Sequence, residues 1–554
     1  MLCAGGFNWQ YCIIPLILMG IYLALNFKRI NGTLGIASLA LLILLTASVV
    51  STKGDPKSAV YESEKLLCFI SALLIGSTTD KKSICGIYGL CMTFLAAIGL
   101  FAYCFHLNFA DLILDDRYFL RLQSSVQYAN TTACLLACGY FFSIDTVLRV
   151  NTSLKRCISQ MILLSLYLTF SKACIPIFIA VCVLLVLKRI NCRLIIVRQN
   201  IIAMLFFIPI AICVKYNICL LAGMLAIACI LLGGYADNHE WDLSKLWLVF
   251  LACALIVSLT IAIKYPVVFD SLHQRMAFMK DAWGATKKYP WGFGSGSWEV
   301  LQYKFQTASY SVGLIHNGWL QILFDNGVIF LAAITTLTVF TMYTLRKRKD
   351  HLMFSVISII SLHSFVDFDF SFPIVLMIFG MIIGSTLDID SGKGIVHIGR
   401  LCSFVFLAAL AITSIHMSRE YILRNSLERN YMRNDLWEAE QRGIILEKLC
   451  PYDAKLQISI GMMEFLQNED TAALRERLRK AVSISPNDPS VYKYYMKYSL
   501  DTDNVYDMCC HYIDLCPMQE GTMEYINDYT KEAYNKGIIT AKEREDILKK
   551  LNSH

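Results

Sequence analysis

The run His316-Asn-Gly-Trp-Leu-Gln-Ile-Leu-Phe-Asp-Asn-Gly-Val-Ile-Phe330 sets an imidazole and an amide at the mouth of an apolar helix that continues to about residue 343. A polar stretch of roughly fifty residues, 265–315, leads into it and carries Arg275 and a glycine-rich turn. Apolar runs of similar length, separated by short polar turns, recur along the chain. A helix that crosses a hydrocarbon core needs about twenty such residues, so the pattern reads as a series of membrane spans.

Composition points the same way. With 554 residues, 56% of them hydrophobic and only 17% charged, and a mean hydropathy of +0.52, the chain is too apolar for one soluble domain. Charge is unevenly distributed: about 42 of the 93 Lys, Arg, Asp and Glu residues follow position 416. The net charge of +7 divides into about +11 before that point and about −4 after it, which attributes the basic balance to loops at a membrane and excludes a nucleic-acid surface. Two domains are expected: 1–416, a membrane domain with a large loop at about 265–315, and 417–554, a helical tail. Of the 21 cysteines, 17 precede residue 403 and lie mostly in apolar runs, where a thiol acts as a small hydrophobe. No Cys-x-x-Cys occurs, so no metal site and no cofactor is expected. The tail cysteines Cys450, Cys509, Cys510 and Cys516 could pair in an oxidising compartment, with no connectivity preferred.

Spans are expected near 10–26, 33–50, 62–79, 84–106, 128–148, 157–170, 173–187, 199–214, 218–234, 246–263, 318–343, 352–366, 372–386 and 400–416. The first has no basic residue before it, unlike a signal peptide, and reads as a retained span. The fold class is therefore all-α, a polytopic bundle of about 12–14 spans followed by a soluble helical repeat domain. Basic clusters at Lys28-Arg29, Lys81-Lys82, 149–156, 188–198 and Arg346 to Lys349 all fall on one side, which the positive-inside rule makes cytoplasmic. The opposite side then receives 51–61, 107–127, 265–315, the turn at Phe170-Ser171-Lys172 and the region of Asp367.

These outer segments carry a family pattern. His316-Asn317, nine residues and then Gly327 resemble the signature of the bacterial O-antigen ligase and O-antigen polymerase superfamily, with Phe330 where the family has a small residue or Tyr. Arg121-Leu-Gln-Ser-Ser-Val-Gln-Tyr-Ala-Asn130 resembles the family's Arg-Leu…Asn approach to a helix, and Ser171-Lys172-Ala173 stands where it has Ser-Arg-Gly. His273-Gln-Arg275 through Trp283, followed by Tyr289-Pro-Trp-Gly-Phe-Gly294-Ser-Gly296-Ser-Trp298, resembles its Arg…Trp…Pro-x-Gly-x-Gly run, and His363-Ser-Phe-Val-Asp367 with Pro373 a further segment. Alone, each has a plainer reading: His316 as an interfacial polar residue, Arg121 and Arg275 as snorkelling side chains, the glycines as a turn. Five matches in order over 120–375 are more specific than any one of them.

The resemblance implies an integral membrane glycosyltransferase, located in the bacterial inner membrane with its active side periplasmic. It would move a glycan from a polyprenyl diphosphate carrier to an acceptor hydroxyl on a lipid or protein. Such a carrier is already a good leaving group, so the enzyme must neutralise the growing diphosphate charge and take a proton from the acceptor. Arg275, Arg121 and Lys172 are the candidates for the first task and His316 for the second, with Asn317, Asn130, Ser171, Asp367, Gly294 and Gly296 in support. Asp367 reads more readily as a partner for one of these cations than as a catalytic group. The loop holds only Asp270, Asp281 and Glu299 as carboxylates, without an acidic pair for a divalent ion, which favours a metal-independent, inverting single displacement.

The tail carries prolines at 451, 486 and 517, spacings of 35 and 31 that approach the 34 residues of a tetratricopeptide repeat. Leu474, Leu478 and Val482 mark one amphipathic helix between them. Such repeats offer a surface for a glycan, an acceptor or a protein partner, while an ordinary helical cap is the alternative. Three functions fit the sequence: ligase, polymerase joining lipid-linked repeat units, and transporter of lipid-linked sugars. A transporter would place charge deep in several spans and repeat its halves, whereas this chain collects its polar residues on one face.

Overall fold

The computed structural model describes residues 7–107, 111–116, 120–144, 151–235, 270–387, 393–501 and 504–552. Every expected span except one coincides with a helix: α1 (Ile13–Leu25), α2 (Gly32–Val50), α3 (Pro56–Thr78), α4 (Lys81–Cys104), α5 (Ala129–Ile144), α6 (Thr152–Leu168), α7 (Cys174–Leu187), α8 (Arg193–Lys215) and α9 (Cys219–Tyr235) precede the large loop. The run 246–263 lies outside the described residues. The loop contains α10 (Asp270–Lys288) and α11 (Trp298–Phe305), and α12 (Gly318–Lys347), α13 (His351–His363), α14 (Pro373–Thr386) and α15 (Lys393–Met432) follow. The only strands among the described residues form an antiparallel ribbon, β1 (Ile113–Asp115) with β2 (Leu120–Leu122), in which Leu114 pairs with Arg121.

Among the described residues, five helices are long and apolar enough to cross a membrane: α2, α4, α8, α12 and Ile395–Met432 of α15. Along α4 the side chains of Ile87, Leu90, Phe94, Ile98, Phe101 and Phe105 are exposed at spacings of three and four. A stripe of this size suits lipid and not water. Helix α5 is shorter, yet it buries nearly every residue on all faces, so it is solvated by protein and need not span hydrocarbon by itself. Close approach replaces side-chain filling between α3 and α14: a Cβ at Gly76 would meet the Met381 carbonyl oxygen at 2.4 Å, and one at Gly384 the Leu73 carbonyl oxygen at 2.0 Å. Small residues at helix crossings are the usual means of packing where no water is available to drive association.

By contacts the chain divides into two compact units. The first comprises Met1–Ala40, Lys65–Ser271 and Ile334–Leu407. At one end of it the basic turns gather: Lys81 pairs with Asp350 at 2.6 Å, Arg348 donates to the Thr386 carbonyl at 3.1 Å, and Asn191 and Lys349 line a cavity of about 500 Å³ together with Lys81.

The second unit comprises Leu41–Glu64, Leu272–Ala333 and Ala408–His554. The composition step at 417 is not an end of an element, because α15 runs unbroken through it to Met432. Beyond it come α16 (Leu436–Leu449), α17 (Ala454–Asn468), α18 (Thr471–Ile484), α19 (Pro489–Tyr498), α20 (Val505–Leu515), α21 (Thr522–Asn535) and α22 (Ala541–Asn552). Asp435, Asp453, Asp470, Asp488 and Asn504 cap five of these helices, each side chain accepting from a backbone N–H of the first turn. Pro451, Pro486 and Pro517 all sit in the turns between helices, where a missing N–H costs nothing. Leu474, Leu478 and Ala481 of α18 pack with Ile458 and Val491 of its two neighbours, and the same arrangement continues through Met496, Ile513, Ile526 and Ile547.

Candidate functional site

In the first unit, residues far apart in sequence converge on Arg121. The ribbon holds this arginine at the centre of β2, where its Nε donates to the Thr169 carbonyl at 2.9 Å and its guanidinium donates to Asn130 Oδ1 at 2.7 Å. Asn130 then donates to Asp367 Oδ2 at 2.7 Å, and the Tyr128 hydroxyl donates to Asp367 Oδ1 at 3.0 Å. Asp367 is fully buried and also accepts from the Phe368 N–H at 2.9 Å. Aromatic rings close over this chain, with Tyr128 and Phe368 centroids 4.8 Å apart. The expected cation pairing of Asp367 thus runs to Arg121 through the Asn130 amide. Thr169 belongs to the turn that carries Ser171 and Lys172. Ser171 is buried and its Oγ accepts from the Cys174 N–H at 3.2 Å, so it starts α7; Lys172 is exposed and forms no ion pair among the described residues.

A second buried group lies one step along the same helices. His363 Nδ1 stands 2.5 Å from Asp369 Oδ2, the Thr131 hydroxyl donates to Asp369 Oδ1 at 2.9 Å, and Cys134 completes a cluster with no exposure at all. It braces α5 against α13.

In the second unit the candidate residues lie around the mouth of α12. Asn317 is its N-cap: the side-chain Oδ1 accepts from the Leu320 N–H at 2.9 Å. Gln321, four residues on, accepts from the Ile315 N–H at 2.9 Å and donates to Asp325 Oδ2 at 2.9 Å. His316 precedes the cap with φ of 52°, a left-handed conformation that β-carbon sterics disfavour and that turns the half-buried imidazole off the helix axis. The ring faces Phe278 of α10 at 6.1 Å, and Phe278 lies one turn from Arg275 on the same helix face. His316 thus packs against the helix that carries Arg275. Asp281 fastens this arrangement, accepting from the Thr307 N–H at 2.8 Å and from the Tyr310 hydroxyl at 2.7 Å. Below the imidazole Phe278, Trp298, Ile315, Leu320 and Phe324 form a closed core.

The glycine-rich turn packs against the break in α12. Gly294 donates its N–H to the Asp325 carbonyl at 2.8 Å, Phe293 donates to the Phe324 carbonyl at 2.7 Å, and Val328 donates to the Pro290 carbonyl at 2.9 Å. These bonds satisfy backbone groups freed by the break in α12 at Gly327, where φ is 79° and ψ is 176°. Gly294 itself has φ of 101° and passes so close to Thr52 that a Cβ would come within 2.3 Å of its Oγ1; Gly296 faces Ser58 and Glu62 in the same way. The turn locks the helix break to the 48–62 segment.

Between α11 and the tail helices lies a cavity of about 350 Å³ lined by Glu299, Tyr303, Lys455, Asp488, Lys493 and Tyr512. Burial pushes the Glu299 carboxyl above its ordinary range against the opposing pull of Lys455. Both charge signs and two phenols face a space of the size that takes a small polar ligand.

No family model and no curated protein matches the chain. The described residues form an all-α protein with several helices long and apolar enough to cross a membrane.

Proposed function

We propose that this protein is a multi-pass glycosyltransferase of the bacterial inner membrane, of the O-antigen ligase and polymerase type, acting on the periplasmic side. It takes a glycan from a polyprenyl diphosphate carrier and places it on an acceptor hydroxyl of a lipid or protein. The observation that carries this reading is His316 at the N-terminal mouth of α12, half-buried against Phe278 of the helix that also bears Arg275. His316 accepts the proton of the acceptor hydroxyl as its oxygen bonds to the anomeric carbon. The bond from that carbon to the diphosphate breaks with its electron pair on the leaving oxygen, where the Arg275 guanidinium neutralises the charge. Arg121 and Lys172 keep the donor-binding role that the resemblance gives them, with Asn130, Asp367 and Ser171 positioning the first of these cations and its turn. The displacement inverts the sugar and uses no metal ion.

Sidedness is supported by how the segments sort. The five basic clusters fall in turns on one side of the expected spans, and Lys81 and Asp350 link two of those turns. The tail is read as a tetratricopeptide-like domain, with the cavity beside Glu299 and Lys493 as the place where acceptor or partner meets the loop. Gly284 is exposed with open space at its Cβ position. Gly284→Cys is accordingly expected to react with an impermeant thiol reagent from outside the cell, and Lys347→Cys is not; the reverse labelling would overturn the placement. Glycan analysis of a strain lacking the protein separates the two forms of the activity. Accumulated carrier-linked glycan with none attached marks a ligase, single attached units without long chains mark a polymerase, and unchanged glycans would refute both.

A further inference from the structure

The second unit contains a set of donors that the transferase reading does not use. His416 and Glu420 lie four residues apart on α15, on one face of the helix, and Cys450 at the end of α16 comes up beneath them. One donor atom from each of the three lies within 4.8 Å of the others. His416 Nε2 and Glu420 Oε2 are 3.7 Å apart, too far for a hydrogen bond. The Tyr452 hydroxyl stands 2.9 Å from the same Nε2 and 3.7 Å from Cys450 Sγ. Donors on one zinc ion, at about 2.0 to 2.3 Å from it, stand roughly 3.3 to 3.7 Å from one another at tetrahedral angles. The His416 to Glu420 and Tyr452 to Cys450 separations fit this spacing, whereas the Tyr452 hydroxyl now hydrogen-bonds His416 and would have to draw back from it.

Glu420 provides the independent sign of a missing occupant. Its side chain is fully buried, and the two carboxylate oxygens have separate fates. Oε1 accepts from Arg424 Nε at 2.8 Å and from the Tyr61 hydroxyl, whereas Oε2, aimed at His416, has no hydrogen-bond partner. A buried carboxylate oxygen left in this way costs free energy comparable to a lost charged hydrogen bond. Arg424 also meets Asp453 at 2.7 Å, on an oxygen that Lys57 approaches at 3.0 Å, so Glu420 and Asp453 stand beside two cations. The Cys134, His363 and Asp369 cluster differs in both respects: its histidine and carboxylate are already joined at 2.5 Å, and none of the three is exposed, whereas the His416 side chain is 27% exposed.

We propose that His416, Glu420 and Cys450 bind a divalent transition-metal ion of the zinc class, with the Tyr452 hydroxyl at the fourth corner. The ion clamps the turn between α16 and α17 to α15. It is a structural site, made of residues with no part in glycosyl transfer, and it stands or falls independently of that reading. Burial pushes the Cys450 thiol up to about 12, so the ion must displace its proton, and binding should strengthen as pH rises.

The test uses the full chain purified in detergent, stripped with chelator and titrated with Co²⁺ as the probe. One equivalent should bind and give a near-ultraviolet thiolate-to-cobalt charge-transfer band with the ligand-field bands of a four-coordinate ion. Cys450→Ser should abolish the charge-transfer band, and His416→Ala should weaken binding by more than about 100-fold, above the loss typical of a residue that merely supports a ligand. Cys510→Ser, in the same tail but outside the cluster, should leave the band intact. Zn²⁺ should raise the melting temperature of the wild-type chain and not that of Cys450→Ser, which separates binding from a general folding defect. Failure of the wild-type chain to retain an equivalent, or an unchanged band in Cys450→Ser, would overturn the proposal.

Discussion

The surroundings of Arg121 and of His316 are built on opposite plans. Around Arg121 each polar group is tied to another protein group contributed by a distant part of the chain, with Asn130 and Asp367 separated by 237 positions. Around His316 the positions are set locally, by a left-handed residue, an N-cap and one aromatic contact with α10. The first plan makes a charge rigid and inseparable from the packing of the spans. The second holds a side chain in place through its backbone, so that the imidazole can be removed without dismantling its support. Chemistry and stability should therefore separate at His316 and coincide at Arg121 and Asp367.

His316→Ala is the largest test of that contrast. Turnover should fall by roughly a hundred-fold to ten-thousand-fold, the range for a missing general base, with donor binding and melting temperature near wild type. Near-normal turnover would remove the imidazole from the mechanism. Arg275→Ala should cost about a hundred-fold in kcat/KM, shared between a higher donor KM and a lower kcat, because the cation meets the diphosphate in both ground and transition states. An effect on kcat alone would move Arg275 away from the bound donor.

Asp367→Ala brings the comparison to the other region. It removes the shared acceptor of the half-buried Asn130 amide and Tyr128 hydroxyl, which keep their bond to each other, a loss of about 1 kcal/mol. Activity and thermal stability in detergent should both fall. Loss of activity at unchanged stability would place Asp367 among the groups that act on substrate and break the contrast.

Much of this arrangement was legible in the sequence, for a physical reason. Apolar runs bounded by polar turns mark helices whatever their neighbours do, and Arg121 and Asn130 stand close enough in one motif to imply a common site. The i, i+4 series Asn317, Gln321 and Asp325 also lay in plain view as one polar helix face. What the sequence could not supply was direction. Glycines at 294 and 296 announce unusual backbone angles, but whether the freed N–H groups face a ligand or a broken helix depends on α12 and on residues 48–62. Asp367 could not be matched to Asn130, and the junction of Glu420 with Cys450 depends on α15 continuing past the step in composition at 417. The resemblance gave Asn317 a supporting place beside His316, and the N-cap bond to Leu320 is one form that support can take.

That support permits the smallest and sharpest test. If Asn317 serves as the N-cap of α12, Asn317→Asp keeps an acceptor for the Leu320 N–H and adds a charge that the helix N-terminus favours, so stability should hold or rise slightly. Asn317→Ala removes the acceptor and should cost about 1 kcal/mol. Because His316 is the residue immediately before the cap, fraying of the first turn should also loosen the imidazole, and the Ala variant should lose a modest part of its turnover while the Asp variant retains it. An Asp variant as inactive as His316→Ala, with its stability intact, would show that the amide N–H₂ itself meets the substrate. The region around His316 would then carry two chemical groups in place of one group and its support.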